Sequence, residues 1–276
     1  MISEQDKYCV IGNPIAHSKS PDIHRQFAEQ VNHAISYDKQ LIDLNMFQQG
    51  ILALINDGIC GANVTVPFKQ DAWKLAEFKS ETAKIAGAVN TLSFKNGSVY
   101  GDNTDGVGLV RDLTVNHQQA LLGKRILVLG AGGAVRGVLQ DLINEQPLEV
   151  VIANRTVSKA QALADLFSGA VAVKASSFER LSGEFDLIIN GTSASLNNEL
   201  PPIPETVVSS QTISYDMMYS DQETVFNRWA KACGAAKCID GLGMLIEQAA
   251  ESFWIWRSVR PDTSFIIEKL RNPNAQ

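Results

Sequence analysis

The sequence predicts an α/β protein in two domains, and three observations carry that prediction. Short β-branched runs alternate with stretches of helical period, the pattern of largely parallel strands joined by helices. Near position 96 an Asn-Gly pair between alternating residues interrupts this order, which adds an antiparallel hairpin and makes the first sheet mixed. Near position 130 a glycine-rich turn sits between a buried strand and a helix, the opening of a Rossmann-like unit.

The runs Tyr8-Cys9-Val10-Ile11, Asn63-Val64-Thr65-Val66, Arg125-Ile126-Leu127-Val128-Leu129, Glu149-Val150-Val151-Ile152, Phe185-Asp186-Leu187-Ile188-Ile189 and Thr212-Ile213-Ser214-Tyr215 are the expected strands. In Asn63-Val64-Thr65-Val66-Pro67-Phe68-Lys69, alternation puts the valines on one face and Asn63 and Thr65 on the other, until Pro67 ends the ladder and Lys69 stands near a helix start. For the hairpin, Asn96-Gly97 as the two turn residues sets Lys95 opposite Ser98. Counting back, Asn90 faces Asn103 and Asp105 faces Ala88, so Asn90, Asn103 and Asp105 are expected to project from one side of the sheet. A second unit begins near Gly106, with its first helix running to about Ile143 and its second strand ending at Asn154. After a strand near Lys237 to Asp240, the residues Leu242, Leu245, Ile246, Ala249, Ala250 and Phe253 recur at helical spacing to about Trp256, and a last helix follows near Asp262 to Leu270. These C-terminal helices are expected to return to the first domain, giving 1–105 with 241–276, and 106–240.

Composition excludes several classes. Of 276 residues 45% are hydrophobic and 20% charged, enough to bury a core and too apolar for disorder. No apolar run is long enough to cross a bilayer, so no membrane partner is expected. With 24 basic against 30 acidic residues there is no basic field for nucleic acid. The opening Met1-Ile2-Ser3-Glu4-Gln5-Asp6 is acidic where a signal peptide needs base, which predicts a cytoplasmic location. Four scattered cysteines read as reduced core thiols, and four histidines without a ligand spacing predict no metal. Neither repeats nor low-complexity tracts occur.

The chemistry-bearing motifs lie at strand ends. In Gly130-Ala131-Gly132-Gly133-Ala134, glycines let the backbone approach a pyrophosphate that the next helix N-terminus would hold; the third glycine of the usual fingerprint is Val135. The second strand of this unit lacks the acid that binds a ribose hydroxyl. It ends instead in Asn154-Arg155-Thr156, with Ser158 and Lys159 beyond, which favours the 2'-phosphate of NADP. Near the N-terminus His17-Ser18-Lys19-Ser20-Pro21 forms a polar loop after a strand. Ser20 before Pro21 suits an N-cap, whereas Ser18 has no such role and is expected to touch ligand. Lys69 gains interest from Asp105 in Gly101-Asp102-Asn103-Thr104-Asp105-Gly106, an acceptor-rich loop at the domain boundary.

Taken together, Ser18-Lys19-Ser20-Pro21, Asn63 to Lys69, Gly87-Ala88-Val89-Asn90-Thr91, Asp102 to Gly106, the Gly130 loop, Asn154-Arg155-Thr156 and Asp240-Gly241-Leu242-Gly243-Met244 resemble the shikimate dehydrogenase family end to end. The resemblance implies reduction of 3-dehydroshikimate to shikimate with NADPH on the aromatic amino acid route, with Lys69 and Asp105 as the catalytic pair. It also implies that Ser18, Ser20, Thr65, Asn90, Asp105, Tyr219 and Gln248 hold the substrate. By the same resemblance Gly130, Ala131, Gly132, Gly133, Ala134, Asn154, Arg155, Thr156, Lys159, Thr192, Met217, Gly241 and Met244 are expected to hold the cofactor, with Tyr219 and the 241–244 segment on the cofactor-facing side of a cleft. One departure is visible: where the family reads Thr-Pro after Tyr219, Thr224 precedes Val225. Physically the assignment is coherent, because an ammonium held by a carboxylate can protonate the alkoxide that hydride addition leaves. Two other readings compete. A quinate/shikimate dehydrogenase using NAD fits poorly with Asn154-Arg155-Thr156, and a non-catalytic NADP-binding sensor has no reason to keep Lys69, Asp105, Asn90 and Thr65 together. Monomer and homodimer both stay open.

Overall fold

The computed structural model describes residues 5–167, 169, 171–192, 194 and 199–272. The acidic stretch at 1–4 and the last expected residues of the first domain, 273–276, lie outside them. Two compact units emerge, Met1–Gly108 with Leu245–Gln276, and Leu109–Met244. The expected boundaries fall a few residues early, because helices α5 (Asp105–Arg111) and α9 (Leu242–Arg257) carry the chain through both changeovers.

In the first unit six strands form one sheet: β1 (Asp6–Gly12), β2 (Ile35–Leu41), β3 (Ile59–Val64), β4 (Phe78–Lys79), β5 (Thr91–Lys95) and β6 (Ser98–Asp102), in the order β2-β1-β3-β5-β6-β4. Strand β1 runs parallel to β2 and β3, whereas β5 is antiparallel to β3 and β6, so the sheet is mixed. Helices α1 (Ser20–Gln30), α2 (Phe47–Asn56), α3 (Lys69–Leu75) and α4 (Glu81–Ala86) complete its N-terminal part, and α9 and α10 (Ser264–Arg271) its C-terminal part. Strand β2 had no clear sequence signal. It is an edge strand paired on one side only, where Ser36, Asp38 and Lys39 are tolerated.

The hairpin has the expected register, with Lys95 opposite Ser98 and Thr91 opposite Asp102. Asn96 and Gly97 both have positive φ, 52° and 76°, as a type I′ turn requires. Beyond Asp102 the expectation fails, because the ladder stops there and Asp105 begins α5 instead of facing Ala88. Asn103 does not join the other two either. Its amide donates to the Ala88 carbonyl (3.1 Å) and its oxygen accepts the Asp105 N–H (3.1 Å), an Asx turn that bends the chain into the helix.

Two further expectations are corrected. Strand β3 ends at Val64, and Val66 is 68% exposed where Val64 is 2%, so the two valines do not share a buried face. The Thr65 N–H still reaches the Ile11 carbonyl (2.9 Å), a cis Val66-Pro67 peptide follows, and buried Phe68 stacks on Phe47 at 5.1 Å to anchor the turn ahead of Lys69. Ser20 is not a cap but the first residue of α1, and it is the Ser18 hydroxyl that accepts the Ser20 N–H (3.3 Å). The local structural role thus belongs to Ser18. All four cysteines are free, but only Cys9 is fully buried.

The second unit is a six-stranded sheet, all parallel: β7 (Arg125–Leu129), β8 (Glu149–Ala153), β9 (Ala172–Ser176), β10 (Leu187–Asn190), β11 (Ile213–Asp216) and β12 (Lys237–Asp240), in the order β12-β11-β10-β7-β8-β9. That is the doubly wound nucleotide-binding order, with its reversal between β7 and β10. Helices α6 (Gly133–Asn144), α7 (Val157–Asp165) and α8 (Val225–Ala232) lie in the crossovers, and Leu127, Leu129, Ile188 and Phe226 belong to its buried core. Strand β9, which carries no clear strand signal in the sequence, is one edge of this sheet, with no fully buried side chain. No helix among the described residues is long and apolar enough to cross a membrane.

Candidate active site

Three loops of the first unit converge on a buried polar cluster. Lys69, first residue of α3, gives its carbonyl to the Val89 N–H (2.9 Å), the Asn90 carbonyl accepts the Val64 N–H (2.8 Å), and the Asn90 N–H reaches the Asp102 carbonyl (3.0 Å). Backbone bonds therefore lace the 64–69, 89–90 and 102–105 segments together before any side chain is considered. On this frame Lys69 Nζ lies 2.6 Å from Asp105 Oδ2, and Asn90 Nδ2 donates to Asp105 Oδ1 at 2.9 Å. Gln248, one turn inside α9, accepts from Asn90 Nδ2 at 3.3 Å. The side chains of Lys69 and Asp105 are 29% and 11% exposed, so the ammonium remains reachable by a small molecule while the carboxylate is largely enclosed.

The structure thus gathers Lys69, Asp105, Asn90 and Gln248. No hydrogen bond among the described residues ties Ser18 or Thr65 to that cluster. Both sit at carboxyl ends of parallel strands: Thr65 follows β3 against the end of β1, where its methyl fills the space a side chain at Gly12 would need, and Ser18 lies in the loop after β1. Ser20 is buried with its hydroxyl against the Tyr37 phenol. Tyr219 belongs to the second unit, half-buried, with burial raising its phenol pKa.

In the second unit a groove of about 650 Å³ opens at the carboxyl ends of β7 and β8. Gly130 to Ala134, Asn154, Arg155, Thr156, Lys159 and Thr192 all line it; Met217, Gly241 and Met244 do not. Gly130 has φ of +105°, a region other residues avoid, and nothing stands within 4 Å of where side chains at Gly132 and Gly133 would begin. That open space beside the α6 N-terminus is what a pyrophosphate needs, and exposed Arg155 and Lys159 supply cations beyond it. The donor set fits NADP. Val135 at the third fingerprint position is also accounted for. It packs into the gap left by Gly191, where a Cβ would come within 2.4 Å of it, so close helix–strand packing is preserved with the glycine on the strand side.

Met217 and Gly241 adjoin one another beside the groove, the Met217 sulfur lying 3.1 Å from where a side chain on groove-lining Gly191 would begin. Gly241 donates its N–H to the Met218 carbonyl (3.1 Å), and a Cβ on it would meet the Met217 carbonyl at 2.2 Å. Sequence reasoning missed Phe178 and the 199–202 segment on the groove's rim, which carry no motif, and Asn190 beneath it. Fully buried Asn190 accepts from both the N–H (3.1 Å) and hydroxyl (2.7 Å) of Thr192 and so fixes it.

Comparison with known proteins agrees with this geometry. Residues 10–92 match the model of the shikimate dehydrogenase substrate binding domain, 112–199 that of shikimate / quinate 5-dehydrogenase, and 241–271 that of the shikimate 5'-dehydrogenase C-terminal domain. Shikimate dehydrogenase (NADP(+)) of Alkalilimnicola ehrlichii is 56% identical over 96% of this chain and 98% of its own, and that of Hahella chejuensis 53% identical over the same shares. Among solved structures, an Ael1 enzyme from Pseudomonas putida superposes with a TM-score of 0.93 at 43% identity, covering 96% of this chain and 98% of that one. Shikimate 5-dehydrogenase of Thermus thermophilus, solved in complex with NADP(H) and shikimate, gives 0.85 at 32% identity over 97% and 99%. With matches spanning nearly the whole length and a lysine–carboxylate pair at the end of the first sheet, the chain belongs to the shikimate dehydrogenase family.

Proposed function

We propose that Lys69 and Asp105 are the acid–base pair of a reversible, NADP-dependent reduction of 3-dehydroshikimate to shikimate. As a member of its family the chain is an NADP-dependent oxidoreductase of the shikimate pathway. The observation that carries the pair is the 2.6 Å contact of Lys69 Nζ with Asp105 Oδ2, inside a cluster whose remaining members are neutral amides.

Bound NADPH supplies the hydride. The Lys69 ammonium donates a proton to the oxygen on which charge develops, and Asp105 holds that ammonium in place. Asn90 and Gln248 present amide groups to substrate hydroxyls, and Ser18, Ser20, Thr65 and Tyr219 complete the recognition of hydroxyls and carboxylate. The α6 N-terminus with Gly132, Gly133 and Ala134 takes the pyrophosphate, and Arg155, Thr156 and Lys159 take the 2'-phosphate. Met217, next to Gly191 of that groove, serves the cofactor as well, together with Gly241 and Met244. The unit of residues 1–108 with 245–276 is the substrate domain and that of residues 109–244 the cofactor domain. Four unpaired thiols suit a reducing compartment, in keeping with the cytoplasm.

The test is reduction of NADP with shikimate as the only substrate, with NAD and with quinate in parallel. Turnover with NADP and shikimate is expected. Its absence, or faster turnover with NAD and quinate, refutes the reading.

A further inference from the structure

Behind Asn90 lies a set of buried hydroxyls and amides that the proposed function leaves without a role. Thr91, at the start of β5, and Ser252, on α9, are 1% and 0% exposed, so every proton they carry must be placed on another protein group. The Thr91 and Ser252 hydroxyls are 2.7 Å apart. Asn63 Nδ2 donates to Ser252 Oγ (2.9 Å) and to the Asn90 carbonyl (3.2 Å). Ser252 Oγ also lies 3.0 Å from the Gln248 carbonyl, a longer contact than the one it makes with Thr91.

Proton counting gives this cluster a direction. The terminal oxygen of Asn90 lies 3.0 Å from the Thr104 backbone N–H and 2.9 Å from the Thr91 hydroxyl. A backbone N–H can only donate, so that atom of Asn90 is its oxygen and the amino group faces the other way, onto Asp105 Oδ1. An amide oxygen has no proton to give, so the proton between Thr91 and Asn90 is that of Thr91, and the one in the 2.7 Å contact between Thr91 and Ser252 is that of Ser252. Ser252 itself accepts from Asn63. Four bonds then run head to tail: Asn63 to Ser252, Ser252 to Thr91, Thr91 to Asn90, and Asn90 to the Asp105 carboxylate. Aligned donors in a dry interior reinforce one another, and here their last member holds the oxygen of Asp105 that Lys69 does not.

We infer that Thr91, held by Ser252 and Asn63, is a positioning residue that acts through Asn90 to fix the Asp105 carboxylate against Lys69. Neither hydroxyl touches the pair itself. The inference rests on the acid–base roles of Lys69 and Asp105.

Thr91→Val removes the hydroxyl, keeps shape and β-branching, and leaves Asn90 with only the Thr104 donors. Its kcat for shikimate oxidation is expected to fall roughly tenfold, with KM changing less than twofold, since couplings inside such networks commonly reach that size. Thr91→Ser restores the donor and should return kcat to within about twofold of the parent. Ser252→Ala should lower kcat in the same direction by a smaller factor. In an Asp105→Asn background Thr91→Val should change the residual rate by less than about twofold, because the carboxylate through which it acts is gone. A purely structural Thr91 would lower the melting temperature, leave kcat intact and add independently to Asp105→Asn. Normal kcat in Thr91→Val, equal loss in Thr91→Ser, or additivity with Asp105→Asn each overturns the inference. If Asp105→Asn alone keeps normal kcat, the assignment of the pair fails and the inference with it; if it loses kcat while Thr91→Val does not, only the inference fails.

Discussion

Replacing Lys69 by alanine separates a proton donor from a substrate holder. The lysine sits 2.6 Å from Asp105 Oδ2 and is 29% exposed, while the other carboxylate oxygen keeps its bond from Asn90. Truncation therefore leaves a largely enclosed carboxylate that keeps the Asn90 bond and gains the space the lysine side chain vacates, so the cost should stay below the about 3–5 kcal/mol of a fully orphaned buried charge. The fold should survive. In the transition state, removal of a positioned acid typically costs about 10² to 10⁴ in rate, equivalent to about 2.7 to 5.4 kcal/mol. KM should move much less, because Ser18, Thr65, Asn90 and Gln248 are unchanged and, in the proposed function, hold hydroxyls in ground and transition states alike. Asp105→Asn should resemble it, since a neutral amide cannot fix the ammonium by charge. Steady-state kinetics with shikimate and NADP, alongside Ser18→Ala, where the loss should fall mainly on KM, measures this division of roles. A Lys69→Ala protein with near-normal kcat and only a raised KM would show that this lysine binds substrate and moves no proton.

Arg155→Ala should raise KM for NADP about 10- to 150-fold, the worth of a hydrogen bond to a charged group, and leave NAD nearly unaffected; equal losses for both cofactors would show that the guanidinium does not meet the 2'-phosphate. Stability should respond to acid through Glu149, 12% exposed, whose carboxyl is held below the usual 4.5 by Lys174 (2.8 Å) and then by Arg125 (2.6 Å). Because the folded value is the lower one, that stabilisation is present above the unfolded value and lost as pH falls through the folded one, so Glu149→Gln should lower the melting temperature at pH 7 and flatten its decline below about pH 4.5. Val225→Pro should raise the melting temperature by about 1 to 3 °C: position 225 is the first of α8, Thr224 is already extended at φ −65° and ψ 158°, and its side chain caps Asn227 N–H at 3.3 Å. A lower melting temperature for that variant would mean that the side chain of Val225 contributes more than its backbone freedom costs.

How much of the site was legible depends on whether the information was local. Asn96-Gly97 fixed a turn type and hence a register, and the pairing of Thr91 with Asp102 followed without knowledge of the rest of the molecule. The meeting of Asn90 and Asp105 was also anticipated, but by a continued ladder that does not exist; the Asx turn at Asn103 makes it instead. Alternation could say which face a residue would occupy if the strand continued, but not where pairing stops, and the same limit misplaced Val66 after β3. The local bond falls to Ser18 and not to Ser20 because a cap is defined by one N–H vector, and two serines flanking a single lysine look alike until that vector is known. Edge strands β2 and β9 escaped because one-sided pairing relaxes the demand for apolar residues that makes a strand visible. Least legible was the polar layer behind the pair. Ser252 lies on the last long helix with no motif around it, and only folding sets it 2.7 Å from Thr91. A buried hydroxyl in a sequence looks like any surface serine, since what distinguishes it is the partner it must find. The proposed reacting groups stand in short local motifs, as do Asn63 and Thr91 behind them, while Ser252, which joins those two, comes from a distant part of the chain. For that reason substitutions at Thr91 and Ser252 are the more searching test of how this site is built.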